Sequence, residues 1–409
     1  MIKKIGILTD RPPIFNGGFS QRIKREISLI SKIDNMEIYL LSFCSLSATR
    51  MSKKEIENLL RKEPIDIAEV KFIVSSRLNI CSIYDKYYIY SVKKWIEDKK
   101  IEVVFCENLW CGYIGAKATR YSDTKCIFDY HGVVPEEAVF LNICKEGDRK
   151  YHYYKKIEKY AIENSNKIIC VSHKFKEYIT QTFEVNKEKI YVVPCCVMKK
   201  QNRFSYAEKE TMKSQLGLTN KKVVLYAGSI TKYQCIDEMV WIFNQLYRNN
   251  HQYFFLFLSA YDNYAIVEKL MKKYELPNDC FMLKSVAQEE VYSFCCVADY
   301  GMLIRNKHIL NKVCSPTKLA EYLEAGLPII GTTSIGDIDE IPTQKVLFDY
   351  DDIVSHKNIY TKIEDIDIGQ YAREKNYTEA NDYLDKFYVW DAYFSLYKKL
   401  VGEGFDESN

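Results

Sequence analysis

Short apolar runs of about four to eight residues alternate with helical patterns along most of the chain. In the first half the strand candidates are 4–8, 37–41, 69–73, 102–105, 126–128, 168–171 and 190–193, with helix candidates at 19–31, 53–61, 83–98, 151–165 and 174–182. A polar helical stretch at 201–218 precedes a second series of strands at 223–226, 254–258, 281–283, 300–303, 328–331 and 345–348. Helices at 238–248, 264–274, 288–298 and 317–325 separate them. Continuous Val/Ile-rich strands divided by amphipathic helices mean a parallel sheet covered on both faces. The chain is therefore expected to be α/β, with two Rossmann-like units over 1–200 and 201–377, facing a cleft. The aromatic tail, with Tyr383, Phe387, Trp390, Tyr393, Phe394 and Tyr397, is expected to place helices 378–401 back on the first unit.

At 409 residues the chain is long enough for two or three domains, and 47% apolar with 28% charged residues excludes disorder and fibre. No run approaches the roughly 18 apolar residues of a membrane-spanning helix. The apolar run after Lys3-Lys4 ends in Thr9-Asp10-Arg11 and reads as a first strand, not a signal peptide. None of the 14 cysteines forms a C-x-x-C pair, which suits reduced, buried thiols in a cytoplasmic protein. Residues 1–200 carry 35 Lys+Arg against 25 Asp+Glu, while 201–409 carry 23 against 30. The basic half suits a solvated surface or an anionic partner such as a membrane; no nucleic-acid motif accompanies it. Lys93-Lys94 and Lys99-Lys100, beside Tyr87, Tyr88, Tyr90 and Trp95, make such a surface.

Ligands of open parallel sheets bind beyond the carboxyl ends of the strands, so the loops there carry the candidate chemistry. The first ends in Asn16-Gly17-Gly18 before a helix, where glycines let backbone N–H groups approach an anion. The second is His131-Gly132 followed by Pro135-Glu136-Glu137, an imidazole at a strand end with two carboxylates behind it. The third is Gly228-Ser229-Ile230-Thr231-Lys232, with a mobile cation suited to a diphosphate. The fourth is Ser315-Pro316-Thr317-Lys318-Leu319-Ala320-Glu321. Here Ser315 is expected to cap a helix that opens at Pro316. Lys318 and Glu321, three apart, share a face, one for phosphate and one for ribose hydroxyls.

The segment Ser315–Ile330 resembles the nucleotide-sugar signature of bacterial family 4 retaining glycosyltransferases of the GT-B fold. Gly17-Gly18, His131, Val171-Ser172, Pro194 and Gly228…Lys232 follow in the matching order. The resemblance implies that Gly17 and Gly18 contact donor or acceptor and His131 the transferred sugar. It implies Lys232 on the diphosphate and Glu321 on the ribose, with Gly228, Ser229, Arg305, Ser315, Thr317 and Lys318 also on the donor side. Asn16, Glu136 and Glu137 are the acceptor-side candidates. Where the family often has an arginine and a first glutamate, this chain has Ser229 and Val313. Arg305 or Lys318 is expected to supply the missing charge. The resemblance implies transfer from a nucleotide diphosphate sugar to a glycan or lipid-linked glycan of a capsule, O-antigen or exopolysaccharide. It implies a cytoplasmic enzyme, peripheral to the membrane, with no cofactor. No essential metal is expected, because no Asp-x-Asp pair ends a strand in a metal-holding context. A sugar-nucleotide epimerase on the same fold and a non-catalytic partner subunit remain as alternatives.

Overall fold

The computed structural model describes residues 2–14, 17–45, 49–73, 81–199 and 204–402. The chain divides into one unit of Met1–Cys195 with Trp390–Asn409 and another of Cys196–Val389.

The first unit is built on seven strands: β1 (Lys3–Thr9), β2 (Met36–Ser45), β3 (Ile67–Ile73), β4 (Val103–Glu107), β5 (Lys125–Tyr130), β6 (Lys167–Cys170) and β7 (Ile190–Val192). They pair in parallel in the order β3-β2-β1-β4-β5-β6-β7. The order reverses between β1 and β4, which opens a crevice at their carboxyl ends. Helix Asn108–Thr119, which periodicity missed, lies on this sheet. It is apolar all round and carries no amphipathic stripe to detect. A Cβ on Gly112 would fall 2.4 Å from the Phe128 ring, and one on Gly115 2.2 Å from Cys106 Sγ. Two glycines are thus required for the helix to approach β4 and β5 this closely.

The second unit holds β8 (Lys222–Ala227), β9 (Tyr253–Leu258), β10 (Phe281–Lys284), β11 (Tyr300–Leu303), β12 (Ile329–Thr332) and β13 (Lys345–Phe348). Their order is β10-β9-β8-β11-β12-β13, again all parallel, and it reverses between β8 and β11. Strand β9 shows why such a strand must be covered twice. Tyr253, Phe255 and Phe257 enter the core on one face, and Phe254, Leu256 and Leu258 the core on the other. Each such burial contributes about 1.5–3 kcal/mol.

The boundary expected at 200/201 falls at Cys195/Cys196, and the return to the first unit begins at Trp390 rather than 378. Helix Gln370–Phe387 stays with the second unit because Ala380 and Leu384, then Tyr388, fill its core. The 3-10 turn Trp390–Tyr393 and helix Phe394–Val401, with Tyr397, Leu400 and Val401 buried, belong to the first. No helix is long and apolar enough to cross a membrane among the described residues. Asp299 at the foot of β11 accepts Lys209 at 2.5 Å and Lys213 at 2.7 Å, a buried triad that ties helix Tyr206–Gln215 to the sheet.

Candidate active site

In the first unit the crevice between β1 and β4 collects the polar groups. Gly17 caps helix Gly18–Ile30 at φ +135°, a conformation that L side chains rarely adopt. The first N–H groups of that helix have no intrahelical partner, which suits an anion. Asn16 lies outside the described residues.

His131 follows β5 and its imidazole meets Phe19 edge-on at 5.6 Å. The Arg11 guanidinium covers the same Phe19 ring at 4.1 Å. Burial raises the Glu137 carboxyl, and Arg11 opposes that rise, so Glu137 belongs to this group. Glu136 instead turns to Lys155, 3.0 Å away, in a network that also holds Glu158.

Behind His131 lies a cluster that the motif reading did not contain. Nε2 of His131 is 3.1 Å from Glu107 Oε2 and 3.3 Å from Asp129 Oδ2. Arg22 donates Nε to Asp129 Oδ2 at 2.8 Å and Nη2 to Oδ1 at 3.0 Å, and Nη1 to the Val193 carbonyl at 3.0 Å. Burial alone would raise the Asp129 carboxyl, but Arg22 and then His131 outweigh it and hold it at about 2. Burial, then Asp129, pushes Glu107 up to about 8. Burial, then Glu107, pushes Glu26 well above the carboxylate range, and the Tyr397 hydroxyl donates to Glu26 Oε1 at 3.0 Å. Glu107, Asp129 and His131 are the one group of His, Cys, Asp and Glu whose donor atoms converge among the described residues. A guanidinium already occupies Asp129 Oδ2, and its charge opposes a cation there. The cluster is an ion-pair site rather than a cation site, with two further carboxyls that burial raises beside it. Its sequence signal was the pair Arg22 and Glu26, four apart on the stripe that Ile23 and Ile27 bury.

In the second unit the crevice between β8 and β11 gathers cations. Gly228 follows β8 at φ +140°, and a Cβ there would fall 2.7 Å from Lys318 Cε and Nζ. Lys318 reaches in from helix Thr317–Glu324, donates to Gln234 Oε1 at 3.1 Å and lies 5.0 Å from the centre of the Tyr226 ring. Tyr226 in turn donates to the Ser229 carbonyl and to Gln234. Burial, and then the Arg305 charge, lower the Lys318 ammonium to about 7. Arg305 follows β11, donates Nη1 to the Tyr233 carbonyl at 2.9 Å and leaves Nε without a partner among the described residues.

Glu321 lies one turn beyond Lys318; burial raises its carboxyl, and Gln288 donates to Oε1 at 2.8 Å. Ser229 and Lys232 are exposed on the turn after β8. The helix expected to open at Pro316 under a Ser315 cap instead has Pro316 as its cap and no side-chain cap bond. Proline at the cap has no N–H of its own, so the first free donors are those of Thr317 and Lys318. Thr317 is exposed and Ser315 half-buried beside it. Val313 is 1% exposed and closes the short helix Ile309–Lys312.

Residues 50–199 match the family model Glycosyltransferase Family 4. The comparison with curated proteins found no match. Among solved structures, a sucrose-phosphate synthase from Thermosynechococcus elongatus superposes with TM-score 0.72 at 13% identity, over 97% of this chain and 99% of that one. Alr3699/HepE of Anabaena in complex with UDP gives TM-score 0.68 at 12% identity, over 97% and 98%. WaaG, a glycosyltransferase involved in lipopolysaccharide biosynthesis, gives 0.64 at 13%, over 98% and 100%. The two Rossmann-like parallel-sheet units are those of the GT-B fold. The family match and the glycosyltransferases among these structures support a glycosyltransferase enzyme.

Proposed function

We propose that this protein is a retaining glycosyltransferase that moves a sugar from a nucleotide diphosphate sugar to a glycan or lipid-linked glycan in surface polysaccharide synthesis. The observation that carries the reading is the pair Lys318 and Arg305 at the crevice of the second sheet, Lys318 lying against Gly228 where a side chain would block it and feeling the Arg305 charge. Two cations lie where Ser229 offers none, and a diphosphate is the ligand that restores their charge balance. The likeness to a protein solved with UDP fits such a donor.

In this reading Lys318 and Arg305, with Lys232 and the N–H groups of Thr317 and Lys318, stabilise the charge that develops on the leaving diphosphate. Glu321 accepts the ribose hydroxyls, with Ser315, Thr317, Gly228 and Ser229 shaping the donor pocket. His131 meets the transferred sugar. Gly17 and Gly18 approach the donor or acceptor, and Glu137, with Glu136 and Asn16, serves the acceptor. The chain needs no metal, since side-chain cations and helix N–H groups carry the charge. Helix Cys81–Lys99 exposes Tyr84, Tyr87 and Tyr90 with Lys93 and Lys94, which suits a cytoplasmic enzyme peripheral to an anionic membrane. Tyr88 and Trp95, expected in that surface, are buried in the core instead.

The test is incubation with UDP-, GDP-, ADP- and CDP-sugars, reading released nucleoside diphosphate and the anomeric configuration of the product. Release with retention, unaffected by EDTA, supports the reading. Epimerised donor without release, or no turnover of any donor, overturns it in favour of an epimerase or a non-catalytic partner.

A further inference from the structure

The polar cluster behind His131 does more than fill space. Three carboxyl groups, Glu26, Glu107 and Asp129, lie fully buried with one guanidinium, and Arg22 is committed to Asp129. Glu26 and Glu107 are buried side by side, and each acts on the other's carboxyl. Two buried carboxylates side by side repel, and a proton shared between them relieves that repulsion. Tyr397, its ring stacked on Phe105 at 5.8 Å, donates its hydroxyl to Glu26 Oε1 and helps fix it. Glu107 is then left with Oε2 beside His131 Nε2. Both Glu107 oxygens and that nitrogen are shut off from water, and neither carboxylate contact to Nε2 is straight enough to count as a full hydrogen bond. Arg22 holds Asp129 ionised, so a nitrogen lying between its Oδ2 and Glu107 Oε2 is satisfied as an N–H donor. Asp10, Cys111 and Cys106 are the remaining titratable groups near Glu107.

We propose that Glu107, backed by Glu26 and Tyr397, is a positioning residue that holds the His131 proton on Nε2 and so leaves Nδ1 as the nitrogen turned to substrate. The proposal rests on the reading of His131 as a residue that meets the transferred sugar. It adds that helix Phe394–Val401, the last element among the described residues, helps set that imidazole through Tyr397 and Glu26.

The test uses the full chain labelled with 15N-histidine, six residues in all, with the His131 signals assigned through His131→Gln. The wild type should show the Nε2–H tautomer. Glu107→Leu removes the acceptor, and the tautomer should shift toward Nδ1–H or an average of the two. Its kcat should fall roughly ten- to a hundredfold, as misoriented catalytic groups do, with donor KM nearly unchanged. Glu107→Gln both accepts from Nε2–H and donates to Glu26, so it should restore the tautomer and most of kcat. Should Glu107→Leu fail to fold, Glu26→Leu reports on the same link, with the same shift in smaller measure. A His131 tautomer unchanged in the folded leucine variants overturns the proposal. Full activity of His131→Ala overturns the functional reading of His131 instead, and the imidazole signals still decide what Glu107 does.

Discussion

Arg22 grips Asp129 with two parallel hydrogen bonds, 2.8 and 3.0 Å long, in a position from which solvent is excluded. Removing one partner of such a pair leaves a buried charge uncompensated. Arg22→Met is therefore expected to destabilise the first unit by about 3–5 kcal/mol, read by denaturant unfolding. The same pair sets acid sensitivity. The folded Asp129 value, about 2, lies below the ordinary 3.8. A depressed carboxyl contributes stability above the ordinary value, and loses it as pH falls through the folded one. Wild-type stability should drop between pH 4 and pH 2 by an amount on the order of 2 kcal/mol from this group. Equal acid slopes for wild type and Asp129→Asn would contradict the assignment.

Lys318 works in the opposite direction. Its folded value of about 7 lies below the ordinary 10.5, so the folded state gives up the proton first. Stability from this group rises with pH between those values, and the burden of the buried charge is full below pH 7. Lys318→Met should therefore raise Tm, more at pH 6 than at pH 9, while weakening nucleoside diphosphate binding by roughly tenfold or more. Wild-type affinity for the diphosphate should fall as pH rises above 7. A variant that loses both stability and binding would mean that Lys318 is a structural residue alone.

Glu321 and Lys232 divide the nucleotide between them in the proposed site. Glu321→Ala should lose a charge-assisted hydrogen bond to ribose, about 1.5–3 kcal/mol, and weaken nucleoside and nucleoside diphosphate alike. Lys232→Ala should weaken the diphosphate far more than the nucleoside. Calorimetry with both ligands on both variants separates the roles; equal losses in Lys232→Ala would show that it does not read phosphate.

The basic first half leads to a prediction on membranes. Each basic residue near an anionic surface adds on the order of 1 kcal/mol, and the attraction fades within a Debye length. The protein should sediment with anionic vesicles at low salt, not with neutral ones, and be released at high salt. Lys93→Glu with Lys94→Glu should abolish it. Absence of binding at low salt would leave the charge as a solubility feature.

The strands were legible because they are buried on both faces: β9, Tyr253–Leu258, is apolar without interruption and could be nothing else. Helix Asn108–Thr119 was hidden for the same reason, since burial all round erases periodicity. Gly228, Lys318 and Glu321 were legible because local spacing and strand ends announce them. Glu107 and Tyr397 were not, because their meaning depends on neighbours 81 and 371 residues from Glu26 that only the sheet and the final helix bring together. Lys318 was expected to share a face with Glu321; its burial against Gly228 and Gln234 follows from the left-handed turn after β8, which no spacing encodes.

The central claim is that the crevice beyond β8 and β11 binds a nucleoside diphosphate through Lys318 and Arg305. Titration calorimetry of the full chain with UDP, GDP, ADP and CDP, in the presence of EDTA, tests it most directly. At least one of the four is expected to bind the wild type, and Lys318→Met and Glu321→Ala are each expected to weaken that binding while remaining folded. Failure of all four to bind, or binding that both variants leave untouched, would contradict it.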